Sequence, residues 1–186
     1  MARKGLTEDI IIETSARLIA ENGYQNFSLH GLAAELGIKT ASLYNHIPNS
    51  KKLVAKVGER VLHNLKQSIR DATEGKMGLD AVEALAAAYR RFALENPELY
   101  QLILLIPELD DDDFSNAGRT LMADLYGKLS PFCPSREEQV HAGRMLRSCM
   151  HGFISLEHAG FFRSSVEIED SYRYVIHSFI QMLESK

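Results

Sequence analysis

The chain has 186 residues and a formal net charge of −4, with 45% apolar and 25% charged residues, as in a globular protein with a sizeable core. No apolar run approaches the ~20 residues of a membrane helix, and the first residues carry no hydrophobic signal segment, so we expect a cytoplasmic protein with no membrane partner. Two cysteines, Cys133 and Cys149, give neither a disulfide framework nor metal-ligand spacing. We expect them to be packing residues rather than reactive thiols, and we expect no cofactor and no metal.

Charge is distributed unevenly along the chain. Residues 1–66 hold nine Lys and Arg against six Asp and Glu, a net charge of +3, whereas residues 67–186 carry −7. A positive N-terminal part on an acidic body can orient a protein on a polyanion such as DNA. The charge pattern therefore favours a DNA-binding N-terminal region.

Apolar residues recur with helical spacing along the whole chain and no strand alternation persists, so we expect an all-α fold. The first helix is predicted over residues 7–22, with Thr7 as its N-cap. Ser28 can cap a second helix that ends at Leu36. Gly37 then turns the chain into a third helix, so that helices two and three form a helix-turn-helix.

The third helix is short, because it must fit between Gly37 and Pro48. Leu43 and Ile47 are four residues apart and share its inward face. The outward face presents small, hydroxyl, amide, phenol and imidazole side chains. These are Thr40, Ala41, Ser42, Tyr44, Asn45 and His46. A short helix with an apolar anchor and such an outer face is typical of a helix that enters a DNA major groove.

A long fourth helix is predicted over residues 50–71, capped by Asn49 or Ser50. Gly58 within it is a candidate point of bending, so this helix can act as a lever. One side of the helix carries an apolar stripe, which consists of Leu53, Val57, Val61, Leu65 and Ile69.

The helical pattern is interrupted after the fourth helix, at Gly75 and Gly78. We expect a DNA-binding domain over residues 1–50 and a regulatory domain over residues 51–186, joined by the long helix. Further helices are expected over residues 80–95, from Asn96 to before Pro107, and over residues 116–129, 135–162 and 169–184.

Residues 7–55 resemble the DNA-binding domain of the tetracycline-repressor (TetR) family. The Leu43-Tyr44-x-His46 element after the Gly37-Ile38 turn is quite specific to that family. Further matching pieces are Ile11-Ile12, Ala16, Leu18-Ile19, Gly23-Tyr24, Phe27-Ser28, Leu32-Ala33, Leu36, Ser42, Ile47 and Leu53. The resemblance implies a homodimeric transcriptional regulator, a repressor that a small-molecule effector releases from a palindromic DNA operator.

The resemblance also implies roles for single residues at the operator. At the start of helix two, the residues beside the DNA are Ser28 and Leu29. The residues near base edges are Thr40, Ala41 and Asn45. The residues that touch phosphates or bases are Ser42, Tyr44 and His46. Hydroxyl groups can donate to phosphate oxygens, and an Asn can pair with adenine through two hydrogen bonds.

Two positions depart from the family pattern. Lys39 stands where a capping Ser or Thr is usual, and Ser50 stands where a phosphate-binding Lys is usual. We expect Lys51 to take over that phosphate contact, and we count Lys39 among the DNA-binding residues as well. Two alternatives stay open from the residues alone, namely Tyr44 as a buried core residue and His46 as a cap at the helix C-terminus.

The rest of the chain resembles a C-terminal regulatory domain of the same family, in the subgroup named for a Trp-His-Gly element. The matching pieces are residues 89–93, 96–100 and 151–157, and Met150 stands where that name expects Trp. The resemblance implies a cavity, whose candidate ligand-binding residues are Tyr89, Phe92, Tyr100, Met122, Met145, Cys149 and Phe153. Pliable Met beside aromatic walls suits an apolar or amphipathic effector, although the same side chains can form a plain core.

The last helix carries a wide apolar stripe, which consists of Tyr172, Val175, Ile176, Phe179, Ile180 and Leu183. The helix before it is nearly uncharged from Cys149 to Leu156. We expect both to form a dimer interface, since the family's dimers are similar in joining two such helices from each subunit into a four-helix bundle. Packing of the stripe within one subunit is the alternative.

Two other function classes compete with a DNA-binding regulator that has an effector. An enzyme is not expected, because no Ser-His-Asp, Cys-His or paired-carboxylate arrangement with usable spacing appears. A DNA-binding regulator without an effector would have a filled C-terminal interior. We expect the run from Asp110 to Asp113 to be a loop or helix start rather than a metal site, and His141, His151 and His158 to be core or pocket residues rather than ligands.

Overall fold

The structure is a computed structural model that describes residues 6–185. The regular structure of these residues consists of ten α-helices and three short 3-10 turns, and these residues contain no β-strand. The helices are α1 (Glu8–Asn22), α2 (Leu29–Glu35), α3 (Thr40–Leu43), α4 (Ser50–Thr73), α5 (Gly78–Glu95), α6 (Pro97–Gln101), α7 (Ile106–Leu109), α8 (Asp112–Leu129), α9 (Arg136–His158) and α10 (Ile168–Glu184). The predicted all-α fold is confirmed.

No helix in the described part of the chain is both long and apolar enough to cross a bilayer. Residues 1–5 lie outside the described range. They are part of the predicted DNA-binding domain, and the expectation about a signal segment partly rests on them.

Polar side chains cap the helices at the predicted positions. The Thr7 hydroxyl accepts a hydrogen bond from a first-turn amide of α1 at 3.3 Å, and the Ser28 hydroxyl does the same for α2 at 3.1 Å. Asn49, rather than Ser50, caps α4, because its Oδ1 accepts from the Lys52 N–H at 2.8 Å. Each bond satisfies an amide that has no partner within its own helix.

Helix bounds differ from the prediction by about a turn or more in three places. The first is α8, which begins at Asp112 rather than at residue 116. The sequence predicts one helix from Asn96 to before Pro107, but α6 ends at Gln101 and Pro107 lies in the first turn of α7. Proline is tolerated there because a first-turn amide has no partner in the helix. α9 ends at His158, about one turn early, and Gly160 then adopts a left-handed conformation with φ of 72°.

Two compact units make up the described chain. The first comprises the residues up to Asn64 together with Asn96–Gly118, and the second comprises Leu65–Glu95 together with the residues from Arg119 onward. α4 and α8 each contribute to both units. The units do not follow the contiguous division at residue 50, so the functional division there stays a prediction.

The helix-turn-helix is held in place by helix packing within the first unit. α1 packs on α2 and on α6, and α2 packs on α3. Four of its helices each contribute a fully buried side chain to the core, namely Ile11, Leu32, Leu43 and Leu53. Because each helix contributes an anchor to the same core, α3 is held in a fixed position on this unit.

The second unit contains an ion-pair cluster in its interior. Arg90 on α5 is 8% exposed, and its guanidinium donates to both carboxylate oxygens of Glu157, at 2.7 and 2.9 Å. It also pairs with Glu169, and its central carbon lies 5.1 Å from the ring centre of Tyr172. These contacts tie α5, α9 and α10 together.

The apolar stripe of α10 is buried within its own subunit. Tyr172, Ile176, Phe179, Ile180 and Leu183 are at most 9% exposed, and Val175 is half-buried. The expectation that this stripe is left for a second subunit is therefore corrected, because α5 and α9 already pack on α10. A periodic stripe identifies a face that must be covered but does not identify the helix that covers it.

Candidate nucleic-acid interface

The turn between α2 and α3 has a defined backbone geometry. Gly37 adopts a left-handed conformation with φ of 66°, and its N–H donates to the Ala34 carbonyl at 3.1 Å. The Ile38 N–H donates to the Ala33 carbonyl at 3.0 Å. This pair of bonds is a Schellman motif, which ends α2 and sets the direction in which the chain enters α3. Glycine suits the turn because side chains with a Cβ are strained at positive φ.

The predicted apolar anchor of α3 is confirmed. Leu43 is 0% exposed and Ile47 is 1% exposed. A hydrogen bond of 3.0 Å from the Ile47 N–H to the Leu43 carbonyl continues the helical turn beyond the end of α3 at Leu43. The short helix is therefore fastened by one face, which leaves the other face for solvent or a ligand.

The predicted DNA-contact residues of α3 and its following turn lie at the surface. Ala41, Tyr44 and Asn45 are exposed, and Thr40, Ser42 and His46 are half-buried. Tyr44 is 54% exposed, which excludes the alternative that it is a core tyrosine. At the start of α2, Ser28 is exposed and Leu29 is half-buried. The surface thus presents hydroxyl and amide groups that can bond phosphates and base edges.

Most positive charges of the first unit are neutralised within it. Six Lys and Arg belong to its described residues. Four of them form ion pairs: Arg17 with Glu21 and Glu35, Lys52 with Asp111 and Asp113, Lys56 with Glu8, and Arg60 with Asp9. The other two, Lys39 and Lys51, are exposed and form no ion pair with any residue from 6 to 185. These two lysines stand on either side of α3 in the chain.

Lys52 is held by the acidic run that precedes and begins α8. Its Nζ lies 2.7 Å from the Asp111 carboxylate and 3.1 Å from that of Asp113. Burial alone raises the pKa of Asp111, but hydrogen bonds from Lys52 and from the Phe114 N–H outweigh it and leave the pKa below its usual range. The acidic run is therefore a helix start that binds Lys52, and no group of His, Cys, Asp and Glu in the described chain is placed to hold a metal.

The second unit contains a cavity of about 430 Å³ that is partly open to solvent. Residues from α4, α5 and α8 line it. Its apolar wall consists of Ile69, Leu85, Tyr89, Leu121 and Leu125. The volume lies within the range of small-molecule sites in proteins.

The structure brings two of the seven predicted ligand-binding residues to this cavity, Tyr89 and Met122. The other five do not line it, and they are Phe92, Tyr100, Met145, Cys149 and Phe153. Tyr100 belongs to the first unit, and Met145 is 46% exposed. Sequence reasoning missed the cavity residues of α4 because helical spacing does not tell which helices face one another. A ligand role for the seven stays a prediction.

Two segments of the chain, one N-terminal and one C-terminal, match known protein families. Residues 11–57 match the family described as bacterial regulatory proteins, tetR family, and residues 82–179 match the tetracyclin repressor-like C-terminal domain. The uncharacterized HTH-type transcriptional regulator YobS of Bacillus subtilis (strain 168) is 30% identical over 182 residues, which cover 97% of this chain and 94% of that protein.

Solved structures share the fold. A protein of unknown function from Rhodococcus sp. RHA1 superposes with a TM-score of 0.84 at 18% identity, covering 97% of each chain. The structure of BioQ with its natural double-stranded DNA operator superposes with a TM-score of 0.74 at 16% identity, covering 98% of this chain and all of that one. The helix-turn-helix, the two matched segments and the shared fold agree, and the chain belongs to the tetR family of bacterial regulatory proteins.

Proposed function

We propose that this regulator is a homodimeric repressor that binds a palindromic operator through α3 and that a small effector releases from it. The observation that carries the DNA-binding part is the distribution of positive charge in the first unit. Four of its six described cations are neutralised by internal ion pairs, whereas Lys39 and Lys51 remain available next to α3. Free lysines beside an exposed polar helix are the arrangement that phosphate contacts require.

We propose that different residues position the protein on the DNA and recognise the base sequence. Lys39 and Lys51 bind phosphates and set the register of the protein on the duplex. Asn45 and Thr40 read base edges in the major groove, and Ala41 lies against a thymine methyl group. BioQ, which shares the fold, is known bound to its double-stranded operator. That likeness supports the same general docking for this chain.

We place the dimer interface on the faces of α9 and α10 that the subunit leaves exposed. On α9 this face includes Met145, Ser148, Gly152 and Leu156. Tyr174 on α10 is 76% exposed. Small residues let helices approach closely, and the family resemblance implies a four-helix bundle between subunits. We also retain the Trp-His-Gly subgroup as a proposal, with a buried methionine in place of the tryptophan.

Effector release requires a connection between the cavity and α3. α4 runs without interruption from Lys51 to Ile69, which forms part of the cavity wall. An effector that binds better to the conformation with the wrong spacing between the two α3 helices must lower DNA affinity, because the two binding equilibria are linked. α4 is the element that we assign to this coupling.

Titration with an operator that the protein itself selects from a random DNA pool tests the DNA-binding part of the proposal. Thr40→Ala and Asn45→Ala should each weaken operator binding by about 1–3 kcal/mol and leave binding to scrambled DNA nearly unchanged. Both side chains are outside the buried core, so circular dichroism should show an unchanged fold. Equal losses on operator and scrambled DNA would show that α3 does not read sequence.

Sedimentation tests the dimer. A Cβ atom at Gly152 would meet no atom within 4 Å in its own subunit, so Gly152→Lys should leave the subunit folded but produce monomers. Gly127 on α8 has equally open space, and Gly127→Lys should remain dimeric as the matched control. A monomeric unmutated protein at micromolar concentration would reject the dimer. A dimeric Gly152→Lys variant would reject this interface.

A further inference from the structure

We propose that the cavity of the second unit binds an amphipathic anion, with the acid group between Arg70 and Lys128 and the apolar part against α5 and α8. The cavity belongs entirely to the second unit. Only the consequence of binding, release of DNA, rests on the proposed function. Binding of the anion itself can be measured on the free protein.

Positive charge exceeds negative charge around this cavity. Lys66, Arg70 and Lys128 are among its lining residues, with Asp124 as the one acid in that lining. The Lys66 Nζ lies 3.2 Å from the Asp124 carboxylate, so this pair is neutral as a whole. Arg70 and Lys128 form no ion pair with residues in the described range. Two uncompensated positive charges therefore remain among the lining residues of the cavity.

The two cations come from different helices and have complementary donors. Arg70 lies on α4 and offers a planar fork of N–H groups, which matches a carboxylate or phosphate through two parallel bonds. Lys128 lies on α8 and offers a compact ammonium. An acid group placed between them would gain charge-assisted hydrogen bonds from both sides, whereas a cationic ligand would be repelled.

The interior of the cavity favours the apolar end of the same ligand. Leu85 and Tyr89 from α5 and Leu121 and Leu125 from α8 form walls that are at most 5% exposed. Met122 adds an adaptable side chain to this lining. Apolar walls behind a charged edge match a hydrocarbon or aromatic body that carries one terminal acid group. A polar sugar or a free inorganic anion would leave the walls unfilled.

Calorimetric titration with two probe pairs tests the ligand class without DNA. The acids are decanoate and 1-naphthylacetate, and the neutral counterparts are 1-decanol and 1-naphthaleneethanol. We expect at least one acid to bind once per subunit, about ten-fold or more tightly than its alcohol, since two charge-assisted bonds separate them. Absence of binding by both acids at millimolar concentration, or equal affinity of acid and alcohol, would overturn the proposal.

Variants locate the site. The double change Arg70→Gln and Lys128→Gln should reduce affinity for the acid about ten-fold or more and leave the alcohol unchanged. Lys76→Gln, an exposed cation outside the lining, is the matched control and should change neither. Gly127 lines the cavity with open space at its Cβ, so Gly127→Phe should block both ligands in a folded protein. Unchanged acid binding in the double variant and in Gly127→Phe would place the site elsewhere.

A separate arm distinguishes this proposal from the proposed function. The unmutated protein is titrated with its selected operator in the presence and absence of the acid that binds. Release of DNA supports both proposals. Binding of the acid without release keeps the ligand class and rejects its regulatory role, whereas operator binding with no acid binding rejects the ligand class alone.

Discussion

The ring of Phe114 lies directly against the backbone of Gly58, so closely that a Cβ atom on this glycine would come within 2.4 Å of the ring. Both residues belong to the first unit, and Phe114 is 0% exposed. A glycine in the middle of a helix costs about 1 kcal/mol relative to alanine. The close packing of Phe114 explains why glycine is present at position 58 despite that cost, since any larger residue would clash with the ring. The bending role that the sequence suggests for Gly58 stays a prediction.

Gly58→Ala should destabilise the protein although alanine is the better helix former. The added methyl group forces the buried ring to move, and overpacking of this kind costs about 1–3 kcal/mol. Urea denaturation followed by circular dichroism measures the change. Gly127→Ala is the control, because its Cβ meets no neighbour, and it should gain up to about 1 kcal/mol. A gain at both positions would contradict the packing explanation.

Lys51 and Lys52 are neighbours in sequence but should respond differently to substitution. Lys51→Ala should weaken binding to all DNA sequences alike and lower the slope of log affinity against log salt by about one per subunit. Lys52→Ala should leave that slope nearly unchanged and lower the unfolding midpoint, because Asp111, whose side chain is 12% exposed, loses its cation. Fluorescence anisotropy at several salt concentrations makes the comparison. Equal slopes for the two variants would mean that the ion pair with Asp111 does not prevent Lys52 from contacting DNA phosphates.

The sequence pattern alone was sufficient to predict the local features that begin and end the N-terminal helices. Thr7, Ser28 and Gly37 act through atoms within five residues of themselves, so their roles follow from neighbouring residue types. The Lys52–Asp111 pair joins residues that are 59 positions apart, and no local pattern specifies it. The burial of Phe179 likewise depends on which helices cover α10. Phe179→Asp should therefore unfold the subunit rather than only separate a dimer.

Arg90 should be far more important for stability than its neighbour Arg91. Arg90→Leu leaves Glu157, whose side chain is 12% exposed, without its cation, and loss of one partner of a buried ion pair costs about 3–5 kcal/mol. Arg91 is exposed, and Arg91→Leu should change stability by less than about 0.5 kcal/mol. Adding Glu157→Leu to Arg90→Leu should recover part of the loss. Denaturant unfolding of the four proteins checks this, and a double variant as unstable as Arg90→Leu would rule out an unpaired carboxylate as the cause.

His151 should make stability depend on pH. Burial, reinforced by the charge of Arg147, lowers the pKa of His151 to about 4 from 6.5, and its ring nitrogen lies 2.9 Å from the Tyr89 hydroxyl. Between these pH values the unfolded chain binds a proton that the folded chain does not, so the free energy of unfolding should fall as pH falls from 6.5 to 4. His151→Gln should flatten this dependence, whereas exposed His158→Gln should not. Parallel pH profiles for all three proteins would contradict the assignment.

Selection of bound DNA from a random pool tests the central claim, that α3 reads a palindromic operator. The unmutated protein should enrich a sequence with two symmetric half-sites, because two subunits present two copies of α3. Asn45→Ala should enrich the same site with relaxed preference at one or two base pairs in each half, and Lys51→Ala should keep the preference with weaker enrichment. No enriched sequence, or a base preference that changes with Lys51→Ala but not with Asn45→Ala, would contradict the account.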